Sequence, residues 1–373
     1  MTSQSVNVLI VASHLWIGGA ETVIRHLALG LDRRRFNVTV CTLKDRGRIG
    51  DELANAGVDI VTLPQPPAGK VDYLTFRKLL HVVRERKIDV VHTHTTHGLL
   101  DACLCKLLKP GLRVLHTFHF GNYPHTQPRL ILIERIFSRV ADRIFAVGRA
   151  QRSTLQRVFG FSDAKIGTIW NGVPWPSGDV DAEFRIKANA VNRPLVGTIA
   201  TFIDQKGLFD LLDVARRIKD SGRDVAFAVV GEGFLRPQLE ARRRELGLDG
   251  DVYLPGWITN AADLVMPTFD VFFQPSHWEA MSVVILEAMA AGKPVVATRV
   301  GENPTVIEDE VDGLLVQSSD IDDMTAALCR VIDDASFAAR LGAAARQKVA
   351  QQFSVEHMAR AYEQVYLELA GAQ

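Results

Sequence analysis

Short apolar runs alternate with helix-length amphipathic segments along almost the whole chain, and no other feature constrains its fold as much. The runs at residues 6–12, 37–42, 59–63, 90–93, 114–118 and 143–147 are each followed by a segment with helical spacing. Adjacent parallel strands need a long crossover, usually a helix, so this alternation predicts a parallel sheet covered on both faces. A stretch rich in proline and glycine, Asn171-Gly-Val-Pro-Trp-Pro-Ser-Gly-Asp179, then interrupts the pattern. It restarts with runs at 195–200, 225–230, 252–254, 271–274 and 294–298. The expectation is an α/β chain of two Rossmann-like, doubly wound parallel-sheet domains, at 1–175 and 191–353, with a linker at 176–190. An amphipathic segment at 354–373 is expected to close the chain as a helix on the first domain. Open sheets of this kind bind ligands outside the C-terminal ends of their strands, so the chemistry is sought there.

Composition narrows the partners. A chain of 373 residues is long enough for two cores. Lysine plus arginine (43) equals aspartate plus glutamate (43), which gives no global charge for wrapping nucleic acid, and no nucleic-acid partner is expected. Cys41, Cys103, Cys105 and Cys329 lack the density of a disulfide framework and read as thiols of a reducing compartment. No basic leader region is visible, and no run approaches the roughly 18 apolar residues of a membrane span. A cytoplasmic chain is expected.

Gly18-Gly19-Ala20-Glu21 falls between the first apolar run and the first helical segment, where glycines admit a phosphate to the backbone and helix N–H groups face it. A plain tight turn fits two adjacent glycines equally well. Gly231-Glu232-Gly233 follows another run, but Arg236 stands where a dinucleotide fingerprint needs its third glycine, which argues against a nicotinamide or flavin site. His92, His94 and His97 have a spacing that would suit a metal; lining a cleft or capping backbone groups is the other reading. Arg135, Arg139 and Arg143 recur every four residues beside Leu132, Ile133, Ile136 and Phe137, with Arg149, Arg152 and Arg157 downstream. That pattern fits either a solvated helix face or a basic amphipathic surface for peripheral contact with an anionic membrane.

The segment 276–292 is richer. It is expected to leave a strand end, run as a helix and stop at Gly292. Glu279 and Glu287 would then lie about two turns, roughly 12 Å, apart along the axis. That is too far for the opposed carboxylates of a retaining glycosidase, and suits holding two ends of one long ligand. Glu287 sits among Val284, Ile285, Leu286, Ala288 and Met289, company in which a carboxylate needs a partner.

This segment resembles the signature of the family 4 glycosyltransferases of the GT-B fold, in which two glutamates flank seven residues. Gly18-Gly19-Ala20-Glu21, Asn171-Gly172-Val173, Lys206-Gly207, Pro294-Val295-Val296-Ala297-Thr298 and Asp312-Gly313-Leu314-Leu315-Val316 resemble the family in the same order, so the likeness covers nearly the whole chain. It implies two domains facing across a cleft and retaining transfer of a sugar from a nucleoside diphosphate sugar, a UDP-sugar by analogy. The acceptor would be a glycan or a lipid-linked hydroxyl, in polysaccharide, cell-envelope or glycolipid synthesis, with the enzyme cytoplasmic or at the inner face of the membrane. The resemblance implies that Glu287 accepts hydrogen bonds from the ribose, that Glu279 contacts hydroxyls of the transferred sugar, and that N–H groups of Ala280, Met281, Ser282 and Val283 face the diphosphate or sugar. Lys206 would neutralise charge growing on the leaving diphosphate. His119 would lie near the reacting sugar, with His116 a competing match, and Gly18 and Gly19 would leave room for donor and acceptor. This set implies work without a metal or other cofactor.

The chain also departs from the family pattern. Thr201 stands where an arginine usually precedes the lysine by five residues, and Ala280, Glu302 and Thr305 replace a glycine, a glycine and a glutamate. The missing arginine leaves open a weakened nucleotide-sugar binding protein, and the fold alone leaves open an epimerase or a hydrolase.

Overall fold

The computed structural model describes residues 5–16, 18–66, 72–120 and 127–372; the expected ends of the first domain and of the closing segment, 1–4 and 373, lie outside the described residues. The chain divides into two compact units, Met1–Gly172 with Val355–Gln373, and Val173–Ser354. In the first unit it runs β1 (Val6–His14), α1 (Gly19–Gly30), β2 (Phe36–Asp45), α2 (Gly47–Asn55), β3 (Asp59–Thr62), α3 (Thr75–Glu85), β4 (Val90–Thr93), α4 (Thr96–Leu108), β5 (Arg113–Phe118), α5 (Pro128–Val140), β6 (Arg143–Ala146), α6 (Arg149–Phe159) and β7 (Ile166–Thr168). The second unit holds α7 (Phe184–Lys187), β8 (Leu195–Ile199), α8 (Leu208–Asp220), β9 (Ala226–Val230), α9 (Arg236–Glu245), β10 (Val252–Gly256), α10 (Ala261–Leu264), β11 (Val271–Gln274), α11 (Val283–Ala290), β12 (Val295–Thr298), α12 (Asn303–Val306), β13 (Leu314–Val316), α13 (Ile321–Asp333) and α14 (Ala335–Gln352). The last helix, α15 (Val355–Ala370), belongs to the first unit.

Strand order is β3-β2-β1-β4-β5-β6-β7 in one sheet and β10-β9-β8-β11-β12-β13 in the other. Pairing is parallel throughout. Central strands are apolar on both faces because helices cover both: Val8, Leu9, Ile10 and Val11 of β1 are all fully buried. Each sheet reverses its order between its first and fourth strands, β1 against β4 and β8 against β11. That reversal is where adjoining loops leave in opposite directions and open a ligand crevice.

Two differences from the sequence expectation have physical causes. Residues 176–190 are folded into the second unit instead of linking the two. Asp181 N–H donates to Leu264 O at 2.8 Å, and Phe184 is buried against the rings of Tyr253 and Phe269. The unit boundary therefore falls at Gly172 and Val173, ahead of the expected 175. The strands β7 and β13 have three residues each, too few to display a periodicity.

Helix α15 reaches deep into the first unit. Tyr362 and Tyr366 are buried, the Tyr366 hydroxyl lies 2.7 Å from His92 Nδ1, and Tyr366 meets the ring of Phe36 edge-on. Gly30 of α1 lets it approach, since an added Cβ would stand 3.1 Å from Val355 Cγ2.

Candidate functional site

At the reversal point of the second unit, the loops after β8 and β11 are fastened to each other. After β8 the chain makes one 3-10 turn, Asp204–Lys206, and then bends at Gly207 with φ of +60°. A Cβ there would sit 2.0 Å from Pro275 O, so only glycine lets the loops close. His277 N–H donates to Gln205 O at 2.8 Å across the same seam, and His277 Nε2 lies 3.1 Å from Asp210 Oδ2.

Lys206 and Glu279 come together inside this seam. Lys206 Nζ donates to Glu279 Oε1 at 2.6 Å, and the same oxygen accepts from Gln274 Nε2 and Ser276 Oγ, each at 2.9 Å. Oε2 accepts from Gln205 Nε2 at 3.3 Å. Glu279 is only 7% exposed, and the surrounding donors keep its carboxylate from being buried without partners. Ser282 Oγ donates to Gln274 Oε1 at 2.8 Å and accepts from Ile285 N–H at 3.4 Å, capping α11. The chain of contacts Ser282–Gln274–Glu279–Lys206 thus ties the start of the helix to the cation.

The helix expected through 276–292 begins only at Val283, so Glu279 belongs to the preceding loop and the two-turn, 12 Å spacing from Glu287 does not hold. The loop is kept out of the helix by its own partners. Glu279 turns inward to Lys206, Glu302 N–H donates to Ala280 O at 3.0 Å, and Gly301 (φ +53°) packs where a Cβ would lie 2.1 Å from Glu279 O. Glu302, in a position where the family has glycine, is itself fully buried beside this loop. Ala280, Met281, Ser282 and Val283 are buried, while Glu287 is half-buried on α11, the only carboxylate of that helix, and already engaged in a contact. The leading N–H groups of α11 have no partner within the helix, apart from the one Ser282 caps, and carry its positive dipole end. Thr201 is exposed just beyond β8.

Gly231 and Gly233 serve the fold. A Cβ on Gly231 (φ +141°) would lie 1.9 Å from Ala200 O, and one on Gly233 2.4 Å from Phe202 O. They let the loops after β8 and β9 pair, with Phe202 N–H donating to Glu232 O at 2.8 Å. Arg236 binds Glu232 and Glu240.

At the reversal point of the first unit the side chains are rings. His94, just past β4, has Nδ1 2.7 Å from His119 Nε2, and the two rings stack with centroids 5.0 Å apart. His92 Nε2 lies 2.8 Å from Thr117 Oγ1, which in turn is 3.0 Å from the Tyr362 hydroxyl. His94 Nε2 is buried and has no hydrogen-bond partner among the described residues. A bare lone pair is cheaper to bury than a bare N–H, so His94 carries its proton on Nδ1 and donates to His119 Nε2. Burial lowers the His119 pKa to about 4 and that of His116 to about 3, and holds His92 and His94 well below the usual range, so all four are neutral at pH 7.

The two competing histidines separate in the structure. His116 lies inside β5, 2% exposed, with Nδ1 2.8 Å from Thr93 Oγ1, whereas His119 lies beyond the strand end and keeps part of its surface open. His92, His94 and His97 do not converge, because His97 is exposed on α4. No group of three or more His, Cys, Asp or Glu among the described residues is placed to hold a metal ion. Gly18 is extended and starts α1; a Cβ on it would meet Glu21 Oε2 at 2.3 Å, while Gly19 faces open space. Burial raises the Glu21 pKa, with backbone hydrogen bonding and His14, 3.6 Å away, acting the other way.

Sequence reasoning missed Gln205, Gln274 and Ser276. Gln274 alone carried a signal, a polar residue ending the apolar strand Val271–Gln274.

Comparison with known proteins gives one answer from several directions. Residues 17–174 match the family model described as Glycosyltransferase Family 4, and residues 179–348 match Glycosyl transferases group 1. The chain is 26% identical to UDP-Gal:alpha-D-GlcNAc-diphosphoundecaprenol alpha-1,3-galactosyltransferase of Escherichia coli over 70% of its own length and 71% of the relative's. It is 30% identical to D-inositol 3-phosphate glycosyltransferase of Saccharomonospora viridis, over 70% and 66% of the two chains. Among solved structures, Anabaena Alr3699/HepE in complex with UDP and glucose superposes with a TM-score of 0.87 at 20% identity, covering 97% of this chain and 100% of that one. Sucrose-phosphate synthase of Thermosynechococcus elongatus gives 0.83 at 21% identity, covering 98% and 99%. Two parallel-sheet Rossmann-like units, the glutamate-bearing segment around α11 and two family matches that together span 17–174 and 179–348 lead to one assignment: the chain belongs to the family 4 glycosyltransferases of the GT-B fold.

Proposed function

We propose that this glycosyltransferase works with retention, moving a sugar from a nucleoside diphosphate donor, a UDP-sugar first among them, to a hydroxyl of a glycan or lipid-linked acceptor in the cytoplasm. The observation that carries the reading is the Lys206–Glu279 pair, held at 2.6 Å beside the start of α11 at the reversal point of the second sheet. Lys206 and the leading N–H groups of α11 meet the diphosphate, Glu287 accepts from the ribose, and Glu279 steadies Lys206 while offering Oε2 to the sugar. In the first unit, His119, Gly18 and Gly19 are the residues that face substrate. The acceptor oxygen bonds to the anomeric carbon on the face the diphosphate leaves. The carbon–oxygen bond to phosphate breaks, and the leaving phosphate oxygen takes the acceptor proton, so neither an enzyme nucleophile nor a cofactor is required.

The relatives bear on the donor and acceptor. The Anabaena protein is solved with UDP and glucose and with UDP-glucose, and the name of the Escherichia coli enzyme specifies UDP-Gal and a diphosphoundecaprenol acceptor. Thr201, exposed and uncharged where the family has arginine, favours one second reading, a donor-binding protein that turns over weakly.

Thermal-shift binding against UDP, GDP, ADP and NAD tests the donor site, because a ligand of the native state raises stability by about 2.7 kcal/mol at a hundred times its Kd. A selective shift with UDP, lost in Glu287→Ala, is expected; no shift, or one with NAD alone, refutes the site. The anomeric configuration of the product, read by NMR, tests retention. Donor binding without turnover across acceptors would select the second reading.

A further inference from the structure

We propose that the outer face of α5 is a docking surface for an anionic lipid bilayer. At 100° per residue, Arg129, Leu132, Arg135, Ile136 and Arg139 fall within an arc of about 120°. Leu132 is 58% and Ile136 49% exposed, although both are large aliphatic side chains that burial would favour. The opposite face packs on the core of the first unit through Ile131 and Phe137. The helix's one carboxylate, Glu134, is on that inner side, 1% exposed, where it accepts from Thr96 Oγ1 at 2.6 Å. The outer face is therefore left with arginines and aliphatics only.

The arginines meet no acid among the described residues. Arg129 reaches only the side-chain oxygen of Gln127, at 3.4 Å. Arg135 and Arg139 donate to the carbonyls of Val158 and Phe159, each at 3.2 Å, at the C-terminal end of α6. Capping those carbonyls fixes the two guanidiniums in place against the partial negative charge of a helix end, with no carboxylate to neutralise them fully. Of the arginines downstream, Arg143 pairs with Glu368, Arg152 with Asp163, and Arg149 lies against the ring of Trp170, while Arg157 reaches only Thr154 Oγ1, at 3.3 Å. Helix α9 of the second unit shows the ordinary arrangement, in which Arg236, Arg242 and Arg243 each have a carboxylate partner.

Three guanidiniums without a carboxylate partner, flanking exposed aliphatic side chains, match the bilayer interface, where anionic headgroups lie above acyl chains; a soluble polyanion would use the charges and leave the aliphatics idle. Each arginine near an anionic bilayer strengthens binding about fivefold, so three together give ~100-fold over a neutral one.

The test is flotation of the full chain with vesicles of phosphatidylcholine alone or containing about one third phosphatidylglycerol, a strongly negative surface. Binding to the anionic vesicles only, weakened by salt, is expected. Arg129→Glu should reduce it at least tenfold, and Leu132→Ser with Ile136→Ser should do the same without altering charge. These variants spare the residues that cap α6, and far-UV circular dichroism with an unchanged thermal midpoint confirms that each is folded. Failure of the native chain to bind anionic vesicles, or native-like binding by both variants, overturns the proposal. So does equally tight binding to heparin that ignores the serine substitutions, which would mark a general polyanion site. None of these readouts depends on sugar transfer, so the donor reading stands or falls separately.

Discussion

The two units build the same strand order over six strands, yet they furnish their reversal points in opposite ways. Where β1 meets β4, the neighbourhood is crowded with His92, His94, His116 and His119, all kept neutral by burial, and with the buried hydroxyls of Tyr362 and Tyr366. Where β8 meets β11, one cation and one carboxylate are locked together by neutral donors. Of the chain's 11 histidines, His277 alone falls within Val173–Ser354. Topology decides where each unit can hold a ligand, and side chains decide what is held. The first unit offers neutral hydrogen-bonding rings, and the second offers an ion pair.

The sharpest way to break this comparison is to remove the charge. Lys206→Ala should lower transfer by about 10²–10³-fold, the scale of losing one preorganised group that stabilises developing negative charge. It should also loosen the second unit by about 3 kcal/mol, because the carboxylate of Glu279 stays buried without its counter-ion. Adding Glu279→Gln to Lys206→Ala should restore stability but leave transfer lost. If Lys206→Ala retains transfer within about tenfold, the charged reversal point is structural only.

Acid should act on the other unit. His116 is neutral in the folded chain down to about pH 3, while an ordinary histidine takes a proton near 6.5, so the unfolded state binds more protons as pH falls. The sign follows: stability is complete above about pH 6.5 and is lost progressively below it, by up to about 2 kcal/mol from this one ring at pH 5. His119, pushed to about 4, adds in the same direction until that pH is reached. Hydrogen-exchange protection measured at pH 7 and pH 5 should therefore fall first in peptides of β4, β5 and α15, with β8 and β11 holding. Equal loss in both units would show that the buried rings do not govern acid stability.

Much of this contrast was visible in the sequence, because long apolar strands and a crowd of histidines in one half are matters of pattern. The strands at 90–93 and 271–274 have the expected bounds, since fully buried parallel strands read as continuous apolar runs. What escaped depends on partners distant in the chain. Residues 176–190 read as a linker because the rings that bury Phe184, Tyr253 and Phe269, lie about seventy to eighty-five residues away. Glu279 read as helical because the groups that pull it from the helix, Lys206, Gly301 and Glu302, come from two other loops. His116 and His119 could not be told apart until a strand end fell between them, at Phe118.

The smallest of these effects separates fold from function at two glycines of equivalent rank in the sequence. Gly207 has φ of +60° and no space, since its Cβ would lie 2.0 Å from Pro275 O. Gly207→Ala should therefore cost about 2 kcal/mol in a urea midpoint and pull the Lys206 loop off the Glu279 loop, lowering stability and transfer together. Gly19 starts α1 with nothing within 4 Å of the position of a Cβ. Alanine suits a helix and restricts the unfolded chain, so Gly19→Ala should leave stability unchanged or raise it by about 0.5 kcal/mol. If the open space beside Gly19 receives donor or acceptor, the same methyl group raises KM or lowers kcat with no loss of stability. A Gly19→Ala enzyme with unchanged kinetics would mean that the first unit keeps this glycine for its turn alone, and that its contribution to the reaction rests with the histidines.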